Sequence, residues 1–342
     1  MHWKLFLSIE RRAKARLKMK RLPRMIRWDD WYDSKLPLFF LACYYLLLIH
    51  HDVRLQNLVL LLFLGIFFSA LASFGYMLND YSDRFVDRGS GKENVMGSLS
   101  DWQQVLVLVT TLSISLIAFI PFYHYQFAVV SLFFSYISSI LYSTRPFRLK
   151  EKGHWGIICV SLAQRVFPLL IIFGIFEYFR LDTVIFLALS FLIGLRWILI
   201  HQLLDRDKDI QTKVETFAVS KAPERTYNVM LCFFIIEVIS AVVLVGMITY
   251  TVHLMLPLLI AYFLYELYLY PLWKKLGFKR VLASYDFAPL ADFYFFWLPL
   301  WMSILLGCLN SNFFIITAIE IVWKVRYIKF DIGLIRLRRQ RS

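Results

Sequence analysis

The sequence predicts an all-α membrane protein, and three observations predict this fold class. Of its 342 residues, 59% are hydrophobic and the mean hydropathy is +0.61, which is too apolar for a soluble domain of this length. Apolar runs of about 18 to 24 residues recur along the chain, and a helix of that length crosses a ~30 Å hydrocarbon core. The sequence does not show the short alternating segments of a transmembrane β-barrel.

The apolar segments divide the chain into a transmembrane domain at 36–325, a basic amphipathic segment at 1–35 and a basic tail at 326–342. The N-terminal segment alternates basic and apolar residues at helical spacing. This pattern is typical of a helix on the membrane surface, although a charge cluster that only sets topology explains it equally well. The predicted helices are at 36–50, 56–78, 103–121, 126–143, 155–176, 183–204, 228–250, 253–272 and 290–309, with a shorter one at 312–325.

The distribution of Lys and Arg predicts the orientation. If the N-terminus is cytoplasmic, 34 of the 38 Lys and Arg residues fall in the predicted cytoplasmic segments. The net charge of +14 then needs no nucleic-acid partner, since a basic membrane face attracts anionic lipids and anionic substrates. The basic tail favours an inside C-terminus, so residues 312–325 are predicted to be a tenth crossing or a re-entrant turn.

An acidic motif closes the second predicted helix in the stretch GYMLNDYSDRFVDRGSGKEN. Asn79, Asp83 and Asp87 are spaced i, i+4 and i+8, so they stack along one helix face, and Asp80 lies beside them. Hard oxygen ligands gathered in this way suit Mg²⁺, which takes one or two carboxylates together with substrate phosphates.

A second acidic motif closes the sixth predicted helix in the stretch HQLLDRDKD. His201, Asp205 and Asp209 repeat the stack, and Asp207 is on another face. Both motifs end even-numbered helices, so both are predicted on the cytoplasmic side, and their separation by four helices suggests two four-helix halves. Each motif alone is more typical of a solvated helix end; the pair at equivalent places favours a binding site.

A basic loop, LYSTRPFRLKEKG, lies between the fourth and fifth predicted helices on the same side. It offers Tyr142, Arg145, Arg148 and Lys150. Guanidinium and ammonium groups bind phosphate oxygens, so the loop is a candidate diphosphate site. If the acidic motifs were absent, the basic residues of this loop would be explained by the usual excess of Lys and Arg on the cytoplasmic side.

Together these stretches resemble the UbiA superfamily of intramembrane prenyltransferases. Asn79 to Asp87 matches the family's NDxxDxxxD motif, and Asp205 to Asp209 matches its second DxxxD motif, with Thr216 at the usual downstream threonine. YSTRPFRLK is similar to the YSxPPxRLK stretch of members that prenylate homogentisate or chlorophyll precursors, with Arg145 in place of the first proline.

The resemblance implies a bundle of about nine helices around a central cavity, and Mg²⁺-dependent transfer of an isoprenyl chain from a prenyl diphosphate to a small aromatic or quinone-like acceptor. Asp83, Asp87, Asp205 and Asp209 are the expected catalytic residues. The expected metal ligands are Asn79, Asp80, Asp83, Asp87, Asp205 and Asp209. The expected diphosphate ligands are Tyr142, Arg148 and Lys150, with Lys92 and Lys213 as further candidates that otherwise are solvated loop charges.

Two departures from the family pattern fall in the loops beside the motifs. The chain reads GSGKENVMGSLS where aromatic-acceptor members carry a Lys-Arg-Pro-Leu type stretch, and Lys213 replaces a glycine. An unusual acceptor is therefore expected. The same ionising residues also serve a UbiA-type terpene cyclase, and an ion-coupled transporter is a distant alternative. If the protein is bacterial, it is expected in the cytoplasmic membrane. The sequence does not determine the length of the prenyl chain or the oligomeric state.

Several polar residues lie in or beside the predicted helices. Gln164, Arg165, Arg196 and Glu266 are expected to face the bundle interior and to pair structurally, because an unpaired charge in the membrane is costly. Asp286 and Asp292 flank the start of the ninth helix, where they either cap it or contact the acceptor.

Overall fold

The computed structural model describes residues 26–89, 94–211, 214–277 and 290–339. These ranges are built from helices, and their one β contact is an isolated parallel bridge between Gly153 and Thr216. The predicted all-α fold class is therefore confirmed. Most of the predicted N-terminal amphipathic segment lies outside the described residues, which begin at 26 and form a single helical turn at Trp28–Trp31.

Ten apolar helices match the ten predicted segments. They are α1 Leu36–Ile49, α2 Leu55–Gly89, α3 Asp101–Phe119, α4 Gln126–Ser143, α5 His154–Ile175, α6 Leu181–Gln211, α7 Pro223–Thr251, α8 Leu256–Leu276, α9 Phe293–Leu309 and α10 Phe314–Trp323. A basic helix, α11 Val325–Arg339, follows. Seven helices, α2 to α8, are long and apolar enough to cross a membrane, so the chain is an integral multi-pass membrane protein.

The first helix, α1, lies in the interior of the bundle. Twelve of its fourteen residues are buried, on every face, and the helix packs against α2, α5 and α9. Its length of about 21 Å is shorter than the ~30 Å hydrocarbon core. A helix that is hydrophobic all round belongs in a core, and protein rather than lipid surrounds this one.

Two helices contain a π-helical turn. The turn in α5 spans Leu162–Val166, and the turn in α9 spans Phe293–Trp297. They face each other inside the bundle, where the guanidinium carbon of Arg165 lies 5.6 Å from the ring centroid of Phe295. Such turns occur frequently at functional sites because they rotate one residue out of the regular helix pattern.

A buried ion pair joins α6 to α7. Arg196 donates from Nε and Nη2 to the two carboxylate oxygens of Glu237, with both distances 2.7 Å, and both side chains are fully buried. The expectation that Arg196 pairs structurally is thus confirmed. It lies away from the acidic face of α6, as its spacing from Asp205 predicts.

Removal of one partner of this pair leaves an uncompensated buried charge. We expect Arg196→Met to lower the free energy of unfolding by about 3–5 kcal/mol, and Arg196→Met/Glu237→Met to recover most of that loss. Thermal unfolding of the detergent-solubilised variants measures both effects. A double variant no more stable than the single one would contradict the assignment.

Three carboxylates connect the C-terminal helices. The hydroxyl of Tyr262 in α8 donates to Glu266 at 3.0 Å and to Asp292 at 2.8 Å, and the hydroxyl of Tyr265 donates to Asp331 of α11 at 3.0 Å. Asp292 thereby joins α8 to the start of α9, whereas Asp286 lies outside the described residues. Burial, with a further contribution from Glu266, raises the pKa of Asp331 to about 6.

The raised pKa makes the docking of α11 depend on pH. Because the folded state binds the Asp331 proton more tightly than the unfolded state, this contribution to stability is full below pH ~4 and is lost as the pH rises through about 6. We expect the protection factors of the α11 amides, which correct for the faster intrinsic exchange at higher pH, to be larger at pH 5 than at pH 8, and Asp331→Asn to flatten this dependence. Equal pH dependence in the wild type and the variant would contradict the prediction.

Candidate active site

The first acidic motif and the basic loop meet at one end of the bundle. Helix α2 continues as far as Gly89, so Asn79, Asp83 and Asp87 are helical and stack as predicted. The ammonium of Lys150 lies 2.9 Å from Asn79 Oδ1 and 2.5 and 2.6 Å from the two oxygens of Asp83. Arg148 Nη2 lies 2.9 Å from Asp83 Oδ1. Two cations from the loop therefore converge on one carboxylate of the motif.

The local backbone of the loop fixes Arg148 in this position. The residue has a left-handed φ of 41°, just before a 3₁₀ turn at Leu149–Glu151. Its side chain also donates to Glu151 at 2.5 Å and to the carbonyl of Ser82 at 3.3 Å. A non-glycine residue in this region is costly, and such residues cluster at functional sites. Burial lowers the pKa of the Lys150 ammonium, although Asp83 opposes the shift.

Two carboxylates of the first motif have other partners. Asp80 is buried and accepts a 2.8 Å bond from Arg27 Nη1. Asp87 is buried and accepts a 2.7 Å bond from Asn94, whose amide also donates to the carbonyl of Asp80 at 2.8 Å. Asp80 therefore faces a cation of the N-terminal segment, while Asn94 joins the loop after α2 to the end of that helix.

The second motif lies at the same end of the bundle. His201 Nε2 is 3.5 Å from Asp205 Oδ2, and the Thr216 hydroxyl donates to Asp209 at 3.2 Å. Thr216 also forms the backbone bridge with Gly153, three residues after Lys150. The basic loop thus contacts the first motif through its side chains and approaches the second through its backbone.

Tyr142 lies between the two motifs. It occupies the last turn of α4 and is within electrostatic range of both Asp83 and Asp209. Arg145 is exposed, as is Asp207 on the other face of α6. Lys92 and Lys213, the two further diphosphate candidates, lie outside the described residues. The structure therefore brings Asn79, Asp83, Tyr142, Arg148 and Lys150 together, with Asp209 nearby.

The chemistry of the donor set fits Mg²⁺. Within the described part of the chain, no three His, Cys, Asp or Glu side chains form a group that could hold a metal ion by themselves. Mg²⁺ does not require such a cage, since it keeps several waters and takes one or two protein carboxylates with substrate phosphates. The oxygens of Asn79 and Asp83 already share one cation, the Lys150 ammonium, so they are able to converge on a single positive charge.

Two residues of the site were not predicted from the sequence. Arg27 falls in a run of basic residues that is already explained by the excess of Lys and Arg in cytoplasmic segments. Asn94 falls in a loop that matches no motif. Neither position carries a local signal, because each is defined by its contact with Asp80 or Asp87 in space.

Comparison with known proteins identifies the family. Residues 36–277 match the model of the UbiA prenyltransferase family. The chain belongs to the UbiA prenyltransferase family. The predicted resemblance and enzyme class are thereby confirmed: the chain is an intramembrane prenyltransferase. A comparison with curated protein sequences finds no match.

Solved structures of a UbiA homolog from Archaeoglobus fulgidus share the fold. The form bound to DMAPP and Mg²⁺ is 16% identical, with a TM-score of 0.54 over 93% of this chain and 99% of that chain. The form bound to GPP and Mg²⁺ is 18% identical, with a TM-score of 0.54 over 91% and 100%. The form bound to Cd²⁺ is 19% identical, with a TM-score of 0.56 over the same shares.

The two motifs predict a divalent cation site that is measurable by ligand-induced stabilisation. We expect Mg²⁺ or Mn²⁺ to raise the Tm of the purified protein in a saturable manner. At a cation concentration one hundred times the Kd, the free energy of unfolding should increase by about 2.7 kcal/mol. Asp83→Asn and Asp209→Asn should each shift the titration to higher cation concentration. Asp52→Asn is a matched control, because Asp52 pairs with Arg54 at the opposite end of α2. An Asp83→Asn titration that superimposes on the wild type would count against the site.

Proposed function

We propose that this prenyltransferase moves an isoprenyl chain from an allylic prenyl diphosphate to a small aromatic or quinone-like acceptor, with Mg²⁺. One observation carries the proposal: Arg148 and Lys150 contact Asp83 of the first motif, while the same loop bridges to Thr216 beside the second. Groups that bind phosphate thus lie among groups that bind a metal. Both are needed to ionise a diphosphate ester.

The reaction breaks the bond between C1 of the prenyl chain and the diphosphate oxygen. Negative charge grows on the leaving diphosphate, and Arg148, Lys150 and the Tyr142 hydroxyl are placed to stabilise it. Mg²⁺ held by Asn79, Asp83, Asp87, Asp205 and Asp209 would supply the remaining charge neutralisation. The Arg148 guanidinium offers a fixed fork of donors, and the desolvated Lys150 ammonium acts as a point charge.

The prenyl carbon becomes electron-poor as the diphosphate leaves. A carbon of the acceptor attacks C1, a new bond forms, and the acceptor releases a proton. The apolar interior of the bundle excludes water that would otherwise capture the cation. Aromatic rings make up 18% of the chain and offer π faces to positive charge, although most of them serve as packing residues.

The Archaeoglobus fulgidus homolog supports the donor class and the metal. That protein, which shares this fold, binds DMAPP with Mg²⁺ in one structure and GPP with Mg²⁺ in another. We propose that the motifs lie on the cytoplasmic face. The helix ends that carry them belong to the predicted cytoplasmic segments, and these segments hold most of the Lys and Arg residues. In a bacterium this is the cytoplasmic membrane.

Turnover of prenyl diphosphates tests the proposal. We expect the purified protein to release diphosphate from geranyl or farnesyl diphosphate in the presence of Mg²⁺ and an acceptor, and EDTA to stop the reaction. Asp83→Ala, Asp205→Ala and their double variant should lose at least 10²-fold in rate, since each removes charge neutralisation of the transition state. Asp52→Asn serves as the control and should retain the wild-type rate. A double variant with the wild-type turnover rate would contradict the assignment of Asp83 and Asp205 to the active site.

The products distinguish transfer from cyclisation. Mass spectrometry of lipids that co-purify with the protein, and of reactions with and without added acceptors, should reveal a prenylated acceptor. A cyclic hydrocarbon or terpene alcohol formed without any acceptor would instead identify a terpene cyclase that uses the same ionising residues.

A further inference from the structure

A cavity of about 550 Å³ opens at the end of the bundle opposite the candidate active site. Its wall is formed by α1, the α5–α6 connection, the first turn of α6 and the last turns of α7. At a helical rise of about 1.5 Å per residue, Asp182 in this wall lies ~35 Å along α6 from Asp205 of the second acidic motif. A ligand of this cavity is therefore separate from the prenyl donor and the acceptor, and its chemistry does not depend on the proposed function.

The wall of the cavity contains a buried carboxylate. Asp182 is 5% exposed, and its Oδ2 accepts hydrogen bonds from the Tyr178 hydroxyl at 2.6 Å and from the Tyr45 hydroxyl. Its Oδ1 accepts from the backbone N–H of Thr183 at 2.9 Å. Across the described part of the chain, no Lys, Arg or His side chain forms an ion pair with this carboxylate. Asp182 is therefore held by neutral donors.

This carboxylate has room for one more donor. Neutral hydrogen bonds recover only part of the free energy that a carboxylate loses when it leaves water. A carboxylate offers about four acceptor positions, so the three bonds to Asp182 leave one on Oδ1. A ligand with a positively charged N–H group would supply both the missing charge and the fourth hydrogen bond.

Three tyrosine side chains line the cavity together with Asp182. Tyr45 and Tyr178 pack edge to face, with ring centroids 6.5 Å apart, and Tyr250 is exposed at the end of α7. The π face of a tyrosine ring attracts an ammonium group and also packs against the carbon next to the nitrogen. Rings combined with one carboxylate favour an organic ammonium over an inorganic cation such as Ca²⁺, which takes six to eight oxygen ligands.

A cation at the same cavity complements the acidic group. Arg180 is exposed, and its guanidinium carbon lies 5.1 Å from the ring centroid of Tyr178. Among the described residues it forms no ion pair with an acid, so its planar fork of donors is open to a phosphate. A ligand that meets both Asp182 and Arg180 carries a positive group and, close to it, a negative one.

The apolar part of the lining continues onto the lipid-facing surface. Leu181 and Val243 line the cavity and are exposed. They belong to α6 and α7, which are both long and apolar enough to cross the membrane, so the exposed side chains face lipid acyl chains. A molecule with a zwitterionic head group and hydrocarbon tails matches all three parts of the lining, and a zwitterionic phospholipid is such a molecule.

We propose that this cavity binds the head group of a phospholipid that carries a primary ammonium, with the ammonium on Asp182 and the phosphate on Arg180. A primary ammonium has N–H donors for the remaining acceptor position of Asp182, whereas a quaternary ammonium has none. The bound head group joins α1, α6 and α7 at this face of the membrane, because each of these helices contributes side chains to the wall.

Lipid titrations of the delipidated protein in detergent test the proposal. We expect phosphatidylethanolamine to raise the Tm in a saturable manner. Phosphatidylcholine and phosphatidylglycerol with the same acyl chains should bind at least tenfold more weakly, since the first has no N–H donor and the second has no positive charge. Glycerophosphoethanolamine, the head group without acyl chains, should also bind at least tenfold more weakly, which separates a membrane lipid from a soluble amine. Equal affinity for any of these three comparison ligands would overturn the proposal.

Gly246 offers a variant that fills the cavity without disturbing its wall. The residue lines the cavity, and a Cβ added there meets no atom within 4 Å. We expect Gly246→Leu to raise the apparent Kd for phosphatidylethanolamine at least tenfold. Its Tm without lipid should equal or exceed that of the wild type, because leucine is the better helix former. Asp182→Asn, which keeps the size of the side chain, and Arg180→Gln should weaken binding to a similar degree.

Asp52→Asn and Asp83→Asn are the control variants. Asp52 lies at the same end of the bundle as the cavity but already pairs with Arg54, and Asp83 belongs to the candidate active site, so both variants should keep the wild-type response to the lipid. A carboxylate that only orders the two tyrosines gives another pattern. Asp182→Asn would then lower the Tm without lipid, while Gly246→Leu would bind the lipid like the wild type, and that result would contradict the lipid site.

Discussion

The site depends on the attraction between the basic loop and the first acidic motif. Asp83 receives Lys150 and Arg148 at once, and these contacts fasten the α4–α5 connection onto the end of α2. The backbone bridge from Gly153 to Thr216 then fixes the same loop to the chain that follows α6. Because Asp83 without its cations would be a half-buried charge at the membrane edge, attraction and desolvation together determine how these helix ends assemble.

Much of this arrangement could be predicted from the sequence, because membrane helices and i, i+4 stacks are local patterns. Hydropathy identifies all ten apolar helices, and spacing aligns Asn79 with Asp83 and Asp87. The pairing of the basic loop with Asp83 was not predicted by spacing; the resemblance made both stretches parts of one site. Arg27 and Asn94 were missed because a basic run and an unpatterned loop carry no information about a distant partner.

The π-helical turns mark a further limit of sequence patterns. A single extra residue in a helical turn leaves hydropathy unchanged, yet it brings Arg165 against Phe295 across the bundle interior. Both arginines are expected to pair structurally, but their partners differ: Arg196 pairs with the acid Glu237, and Arg165 donates to the backbone carbonyl of Ser34. Two arginines with equivalent sequence contexts thus have different surroundings, and only the tertiary contacts distinguish them.

The burial of α1 has a consequence for how the chain is made. Its partners include α9, near the other end of the sequence, and the Tyr44 hydroxyl donates to Glu320 of α10 at 2.9 Å. Helix α1 therefore cannot complete its packing until α9 and α10, more than 200 residues later in the sequence, have been translated. Until then α1, a short apolar helix, lacks some of its final neighbours. Truncation of the C-terminal helices would leave part of its buried surface uncovered.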